Sequence, residues 1–401
     1  MAKPHLITSL DVGTSGIKAL VLQRGSNSDL ETLAFLKKPV VGVRRGIVVD
    51  VQAVATALAE VQEELEAQIG QKIDSIYVNV SGSHIFCTES QGKIAVSRAD
   101  REVSEGDIDR VLEDAKTFSL SPNKEILDVY ARNFIVDGEK VKEALGMKGV
   151  RLEVEALMVC FFFPYYNNLN QSILSAGFHE IKDIVPSPIA AARAVLLPSQ
   201  KELGVALLDI GEGTSSLAVY EEGGLVHLAI LPIGAGNITH DIAIGLKTDI
   251  DVAENIKKDF GSCLLSKKEK REKIEIKGPE PLSFYRKDLA KIIEARVSEI
   301  FEEVNKELKK IGKDKLLPAG IVLTGGGAKM PGIIEMAKKE LGLPCRIGRP
   351  KGFLGLNKDP ALATICGLAL MGFDSETNHD SPSVLQEMSS KLKRAFRHFI
   401  P

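Results

Sequence analysis

The sequence predicts an α/β protein of two duplicated lobes, with a smaller α+β subdomain inserted into the first. Three observations predict it. A strand, an Asp, a Gly-containing turn and a second strand occur twice, as SLDVGTSGIKALVL over 9–22 and as LLDIGEGTSSLAVY over 207–220. A further strand runs into three consecutive glycines, LTGGGAKMPG over 323–332. The β-β-α-β order that follows the first turn changes texture near Ser83, where a block of strands around one helix begins.

Each element follows from its pattern. Residues 6–22 and 31–43 read as a hairpin and its continuation, broken by the polar turn RGSNSD. Residues 51–69 put Val54, Leu58, Val61, Leu65 and Ile69 on one helical face, and IDSIYVNVSG returns to the two-residue alternation of a strand. The insertion starts with SHIFCTESQGKIAV, expected as an edge hairpin. A helix opened by Ser104 and acidic neighbours follows, then the strands EILDVYARNFIVDG and VRLEVEALMVCFFF. NNLNQSILSAGF is helical, and EIKDIVPSPIAAARAVLL gives a strand, a Pro-marked turn and a helix. The second lobe repeats strand, turn and strand over 203–220, adds the arm GLVHLAILPIG, and continues into helices. Within it, 266–277 is a charge run expected as a solvated loop or helix end, and 289–311 is a strongly amphipathic helix. Residues 374–384 are polar and turn-rich, as in a linker.

Composition narrows the function. A chain of 401 residues can bury a core in each of two lobes. A formal net charge of −3 gives no bulk attraction to nucleic acid, so no nucleic-acid partner is expected. The cysteines Cys87, Cys160, Cys263, Cys345 and Cys366 are scattered, with no CxxC or Cys/His cluster; a zinc site and a disulfide framework are both disfavoured. The first residues enter a strand directly, and no apolar run reaches the roughly 20 residues that span a bilayer, so a soluble cytoplasmic chain is expected.

The doubled turn carries the chemistry. Such a turn presents backbone N–H groups as a concave anion nest beside a carboxylate. A single copy is equally a plain hairpin. Two copies at matching places suit a nucleotide's phosphates held from both sides, with Asp11 and Asp209 holding a hydrated Mg2+. Lys18 interrupts an otherwise apolar strand, where an unpaired ammonium is costly; a phosphate is its expected partner, and snorkelling to the strand edge is the alternative. There is no GxxxxGK[ST] and no GxGxxG in Rossmann context. The glycines 325–327 let backbone approach a flat ligand closely, more than a strand-to-helix turn requires.

Together these segments resemble the superfamily of actin, heat-shock chaperones and sugar kinases, which has an actin-like (ribonuclease H-like) fold. The resemblance implies ATP and Mg2+ as cofactors. It implies a first phosphate turn of Asp11, Gly13, Thr14, Ser15, Gly16 and Lys18, and a second of Asp209, Gly211, Gly213 and Thr214. Gly325, Gly326, Gly327 and Lys329 would line the adenosine side. Glu254 and Lys257, in VAENIKKDFG, would take the ribose, their i,i+3 spacing placing them on one helix face.

Within the superfamily the chain is most similar to the FtsA family of bacterial cell-division proteins, over nearly its whole length. SGSHI, the helix after SEGDID and MKGVRLEVEAL look like that family's inserted subdomain 1C (SHS2-like), and KIIEARVSEIFEEVNKEL and LPAGIVLTGGGAKMPG read alike. The implied division is 1–82 with 164–201 as subdomain 1A, 83–163 as 1C, 202–236 with 318–373 as 2A, and 237–317 as 2B. A linker, 374–384, and a terminal helix, 385–401, would follow. Also implied are self-association into filaments, binding of the FtsZ C-terminal tail by 2B with Arg296 as a contact, and recruitment of later division proteins through 1C. The implied location is peripheral, on the cytoplasmic face of the membrane at the division site. Two departures bear on turnover. The second turn reads GEG, adding Glu212, and Ser187-Pro188 stands where MreB-like and chaperone relatives carry Glu-Pro. Nucleotide binding with weak or absent hydrolysis is the expectation.

On a helix, Leu385, Met388, Leu392, Ala395, Phe396, Phe399 and Ile400 form one stripe flanked by Lys391, Lys393, Arg394, Arg397 and His398. That reads as an interfacial anchor for anionic lipid, with docking on its own domain or a calmodulin-type ligand as alternatives. Two other functions compete. A PilM-like scaffold for type IV pili shares subdomain 1C but lacks the terminal helix. A sugar or acetate kinase needs a catalytic carboxylate beyond Asp11 and Asp209, and none stands out. The 83–163 insertion argues against an MreB-like filament.

Overall fold

The computed structural model describes residues 6–377 apart from 26–28, 98, 267 and 277–280. β1 (Leu6–Gly13) and β2 (Gly16–Arg24) form a hairpin in the register Asp11↔Lys18, Val12↔Ile17, Gly13↔Gly16, and β3 (Leu30–Lys38) continues it antiparallel. A two-rung hairpin, β4 (Val43–Arg44) and β5 (Ile47–Val48), leads to α1 (Val51–Ile69). Asp50 caps α1 by accepting a hydrogen bond from the Ala53 amide, and Gly70 ends it at φ 71°. Its buried face is Val54, Leu58, Val61 and Leu65, as the periodicity requires. β6 (Ser75–Val80) then returns parallel to β1.

The next block comprises β7 (Phe86–Ala95), α2 (Glu105–Ala115), β8 (Lys124–Val136), β9 (Glu139–Val141) and β10 (Arg151–Phe162). It has its own core, in which Ile108, Val111 and Leu112 of α2 join Phe134, Leu152 and Val154. α3 (Phe163–Ser175), β11 (Glu180–Pro186) and α4 (Ser187–Val195) complete the first lobe. The short α5 (Pro198–Leu203) crosses to β12 (Val205–Ile210), β13 (Ser215–Glu221) and β14 (Gly224–Leu231). Then come α6 (Ala235–Leu246), α7 (Ile250–Phe260), β15 (Lys273–Ile276), β16 (Leu282–Tyr285) and the long α8 (Arg286–Lys310). β17 (Ile321–Thr324), α9 (Ile333–Leu341), β18 (Cys345–Ile347), β19 (Phe353–Leu354) and α10 (Ala363–Thr377) finish the described chain.

The duplication is visible in the sheets. β3-β2-β1-β6-β11 and β14-β13-β12-β17-β18 share one strand order, with two antiparallel pairings followed by two parallel ones. α4 and α10 pack on each other, and their closest approach requires Gly367, where a Cβ would lie 1.7 Å from the Ala190 carbonyl oxygen. The main core runs from β1 and β2 through these helices to Leu207 and Ala218 of the second sheet.

Three local expectations are corrected. Residues 86–95 form one strand, not an edge hairpin: β7 lies between β10 and β14, joined to the latter through Ala229↔Phe86. Gly92 lets α2 close onto the strand, since a Cβ there would meet the Val111 carbonyl at 2.1 Å. The charge run holds the strand β15, which buries Ile274 and pairs with β16. The stretch read as linker begins inside α10, whose Asp374 pairs with Arg193 of α4. Its remainder and the expected 385–401 helix lie outside the described residues. Among the described residues no helix is long and apolar enough to cross a membrane.

Candidate functional site

Both Asp–Gly turns close their hairpins at the same sheet position, and their tips meet. A Cβ on Gly213 would lie 2.6 Å from Thr14 Oγ1 and 2.9 Å from Arg45 Cα, so only glycine permits this approach. Thr14 Oγ1 in turn accepts a hydrogen bond from the Gly46 amide at 3.0 Å, which ties the first turn to the β4–β5 hairpin. Gly16, at φ 144°, passes against the Lys38 carbonyl, 2.4 Å from where a Cβ would stand. Ser15 is exposed at the first tip, and Gly211 donates to the Thr214 carbonyl to close the second.

The carboxylates sit behind the tips. Asp11 is gripped from both neighbouring strands: Lys18 Nζ of β2 donates to Oδ2 at 2.5 Å, and Asn79 Nδ2 of β6 donates to Oδ1 at 2.9 Å. In the structure Lys18 therefore pairs with Asp11, a partner that is neither the expected phosphate nor the strand-edge alternative. Burial works against the Lys18 ammonium, but Asp11, reinforced by Asp209 and Asp359, outweighs it and raises the pKa above the ordinary lysine value. Asp209 Oδ2 accepts from Thr364 Oγ1 of α10 at 3.0 Å. Burial and then the charge of Asp11 push the Asp209 carboxyl up to about 6, against the pull of Lys18.

The third glycine segment walls this site. Gly325, at φ 85°, runs so close that a Cβ would sit 2.2 Å from Asp209 Oδ1, and a Cβ on Gly327 would strike Ile210 at 2.3 Å, whereas Gly326 faces open space. A 3-10 turn, Gly327–Lys329, separates the glycines from α9. Lys329 Nζ pairs with Asp359 at 2.8 Å. Glu254 and Lys257 do share one face of α7 and form an ion pair at 2.5 Å. Thr239 Oγ1 donates to Glu254 at 2.6 Å, while buried Lys257 donates to Thr239 Oγ1 and the Ala235 carbonyl under α6. Glu254 is the more exposed of the pair. The Glu212 side chain turns to the first turn of α6, since a Cβ on Gly236 would lie 2.6 Å from its Oε1. Arg296, outside this site on α8, makes a forked pair with Asp241 at 2.6 and 2.9 Å and also reaches Glu299.

Sequence reasoning passed over Asn79, Thr364 and the β4–β5 hairpin. Asn79 is a polar residue in the apolar alternation of β6, and that was its signal; Thr364 carried none. The donor set fits a hydrated divalent cation beside phosphates. It offers two carboxylates beside one lysine, two apposed glycine-containing turns, and a glycine segment whose backbone packs directly on Asp209 and Ile210.

Comparison with known proteins bears on the same segments. The family model described as "Cell division protein FtsA" matches residues 206–367, and that described as "SHS2 domain inserted in FTSA" matches 82–160. Cell division protein FtsA of Pseudomonas aeruginosa is 34% identical over 388 residues, covering 94% of this chain and 92% of the relative. The Bacillus subtilis protein of that name is 36% identical over 372 residues, covering 92% and 83%. Among solved structures, a chain of the PilM–PilN type IV pilus biogenesis complex aligns with a TM-score of 0.64 at 18% identity, over 91% of this chain and 98% of that one. MreB5 of Spiroplasma citri bound to ADP aligns with a TM-score of 0.59 at 14% identity, over 94% and 99%. At such identities these structures show the fold alone, which is actin-like. The relatives decide the rest: this chain belongs to the FtsA family of bacterial cell-division proteins.

Proposed function

We propose that the chain is an ATP-binding, filament-forming adaptor that anchors the FtsZ ring to the inner face of the cytoplasmic membrane and recruits later division proteins. The observation that carries the nucleotide part is the contact between the two glycine turns, with Asp11 and Asp209 behind them around one lysine. Gly13, Thr14, Ser15 and Gly16 on one side and Gly211, Gly213 and Thr214 on the other hold phosphate oxygens through backbone and hydroxyl donors. Lys18 neutralises the phosphates, Asp11 and Asp209 hold the water shell of Mg2+, and Gly325, Gly326, Gly327 and Lys329 take the nucleoside, with Glu254 and Lys257 toward the ribose. Bound there, Mg2+ would supply charge neutralisation to the phosphates.

Turnover in this reading is slow. Ser187, at the head of α4, accepts from Asn79 at 2.9 Å and donates to the Val80 carbonyl at 3.3 Å, so its hydroxyl is committed and offers no base to an attacking water. Family membership supports the division role over the pilus-scaffold and kinase readings, the pilus structure being alike in fold only. The FtsZ tail binds the region 237–317, later division proteins meet 83–163, and the 385–401 helix holds the membrane.

Co-sedimentation on anionic vesicles tests the adaptor. The FtsZ C-terminal tail peptide is expected in the pellet only when this chain is present, and in greater amount with Mg-ATP. Peptide left in the supernatant in every nucleotide state overturns the reading.

A further inference from the structure

We infer that Asn79 is the positioning residue that makes Asp11 a pre-oriented ligand for the magnesium–nucleotide complex, an inference that rests on the nucleotide reading above. Asn79 is 2% exposed, and its amide serves three partners. Its Oδ1 accepts from the Val12 amide at 2.7 Å; its Nδ2 donates to Asp11 Oδ1 at 2.9 Å and to Ser187 Oγ at 2.9 Å. The backbone dictates this placement. β6 lies parallel to β1 with Leu10↔Val78, so the next residue of β6 falls beside Asp11.

The other lobe supplies an internal control. Asp209 occupies the same place in its hairpin as Asp11, opposite Ser216 where Asp11 faces Lys18. On its parallel side the register gives Asp209↔Thr324, and the Thr324 hydroxyl donates to the Pro360 and Gly348 carbonyls. The duplicated frame does not itself demand an amide beside the aspartate. Asn79 fixes one oxygen of Asp11 while Lys18 holds the other, so the side chain is held from both sides. Partners that orient a metal's ligands in this way typically matter about 10- to 100-fold in metal affinity. The Val12 amide holds the far side of the Asn79 amide, and the Ser187 hydroxyl accepts from the same nitrogen that serves Asp11.

The test is calorimetry of ATP binding to the full chain in excess Mg2+ and again in excess EDTA, the ratio of the two affinities being the readout. Asn79→Ala is expected to lower that ratio about tenfold while leaving the EDTA affinity nearly unchanged. Asn79→Leu keeps the side-chain volume and gives the same result if the alanine variant is too unstable to measure. Ser187→Ala, which disturbs the same hydrogen-bonded hub but keeps the bond to Asp11, is expected to leave the ratio nearly unchanged. A folded Asn79 variant with the wild-type ratio overturns the inference, and so does an equal loss in Ser187→Ala, which marks a merely structural hub. Wild-type chain that shows no binding of ATP in either buffer overturns the nucleotide reading itself.

Discussion

At the scale of single residues, the two aspartates differ more than their matching positions suggest. Asp11 has a lysine on one side and an amide on the other; Asp209 has a serine opposite and one hydroxyl from α10. The consequence is a carboxyl at Asp209 that burial and Asp11 raise to about 6. A raised carboxyl binds its proton more tightly folded than unfolded, so stability from this group is greatest below the ordinary aspartate range. It is lost as pH rises toward 6, and above that the ionised group is a standing cost. Asp209→Asn removes the charge and keeps the shape. The nucleotide-free variant is therefore expected to be more stable than wild type at neutral pH, by about 3 kcal/mol on the scale of 1.36 kcal/mol per pKa unit. Its advantage should shrink as pH falls toward 4, and its affinity for Mg-ATP should fall at least tenfold. Denaturant melts at several pH values check the first part and calorimetry the second. An Asp209→Asn protein less stable than wild type at pH 7 would contradict the electrostatics described.

At the scale of elements, the small β4–β5 hairpin joins features that are distant in the chain. Its Gly46 amide holds Thr14, its Arg45 backbone touches the second turn, and Gly46 packs against Ser81 and Gly82 where the chain leaves β6 for the insertion. His84 begins that excursion and Tyr165 ends it; their rings meet edge-on at 5.4 Å. Both ring nitrogens of His84 are buried, and burial lowers its pKa to about 4. A depressed histidine contributes stability above its unfolded pKa near 6.5 that is lost as pH falls toward 4, because only the unfolded chain accepts the proton in that window. His84→Phe keeps an aromatic ring against Tyr165 and is expected to flatten the acid side of the stability curve by about 2 to 3 kcal/mol between pH 6.5 and 4. Urea titrations over that range decide it, and an unchanged acid slope would show that His84 is already protonated in the fold. This junction also marks what the sequence could and could not disclose. The duplicated turns, α1 and α8 were legible because period and turn chemistry are local. β7's place between β14 and β10 depends on the distant pairing Ala229↔Phe86, and the reach of Asn79 to Asp11 and Ser187 and Thr364's bond to Asp209 span 68, 108 and 155 residues, which no local pattern encodes.

At the scale of the whole molecule, the proposed anchor and the proposed filament need each other. The 385–401 stretch carries Lys391, Lys393, Arg394 and Arg397 among Leu392, Phe396, Phe399 and Ile400. Each basic residue contributes roughly 1 kcal/mol at an anionic surface. The apolar side chains add to this, less the cost of ordering the segment. On the proposed reading a single copy therefore binds reversibly. Copies joined through an actin-like body present their anchors together, and linkage raises the effective concentration at the membrane into the millimolar range without any new contact. Attachment should then depend steeply on protein concentration and on Mg-ATP, whereas a lone anchor would follow a simple hyperbola. Phe396→Asp with Phe399→Asp is expected to abolish sedimentation with anionic vesicles while leaving ATP affinity in solution intact. Asp11→Ala should act in the opposite way, keeping weak hyperbolic binding but losing the steep, nucleotide-dependent part. Vesicle co-sedimentation across a concentration series separates the two, and an Asp11→Ala curve as steep as wild type would break the link between nucleotide and assembly.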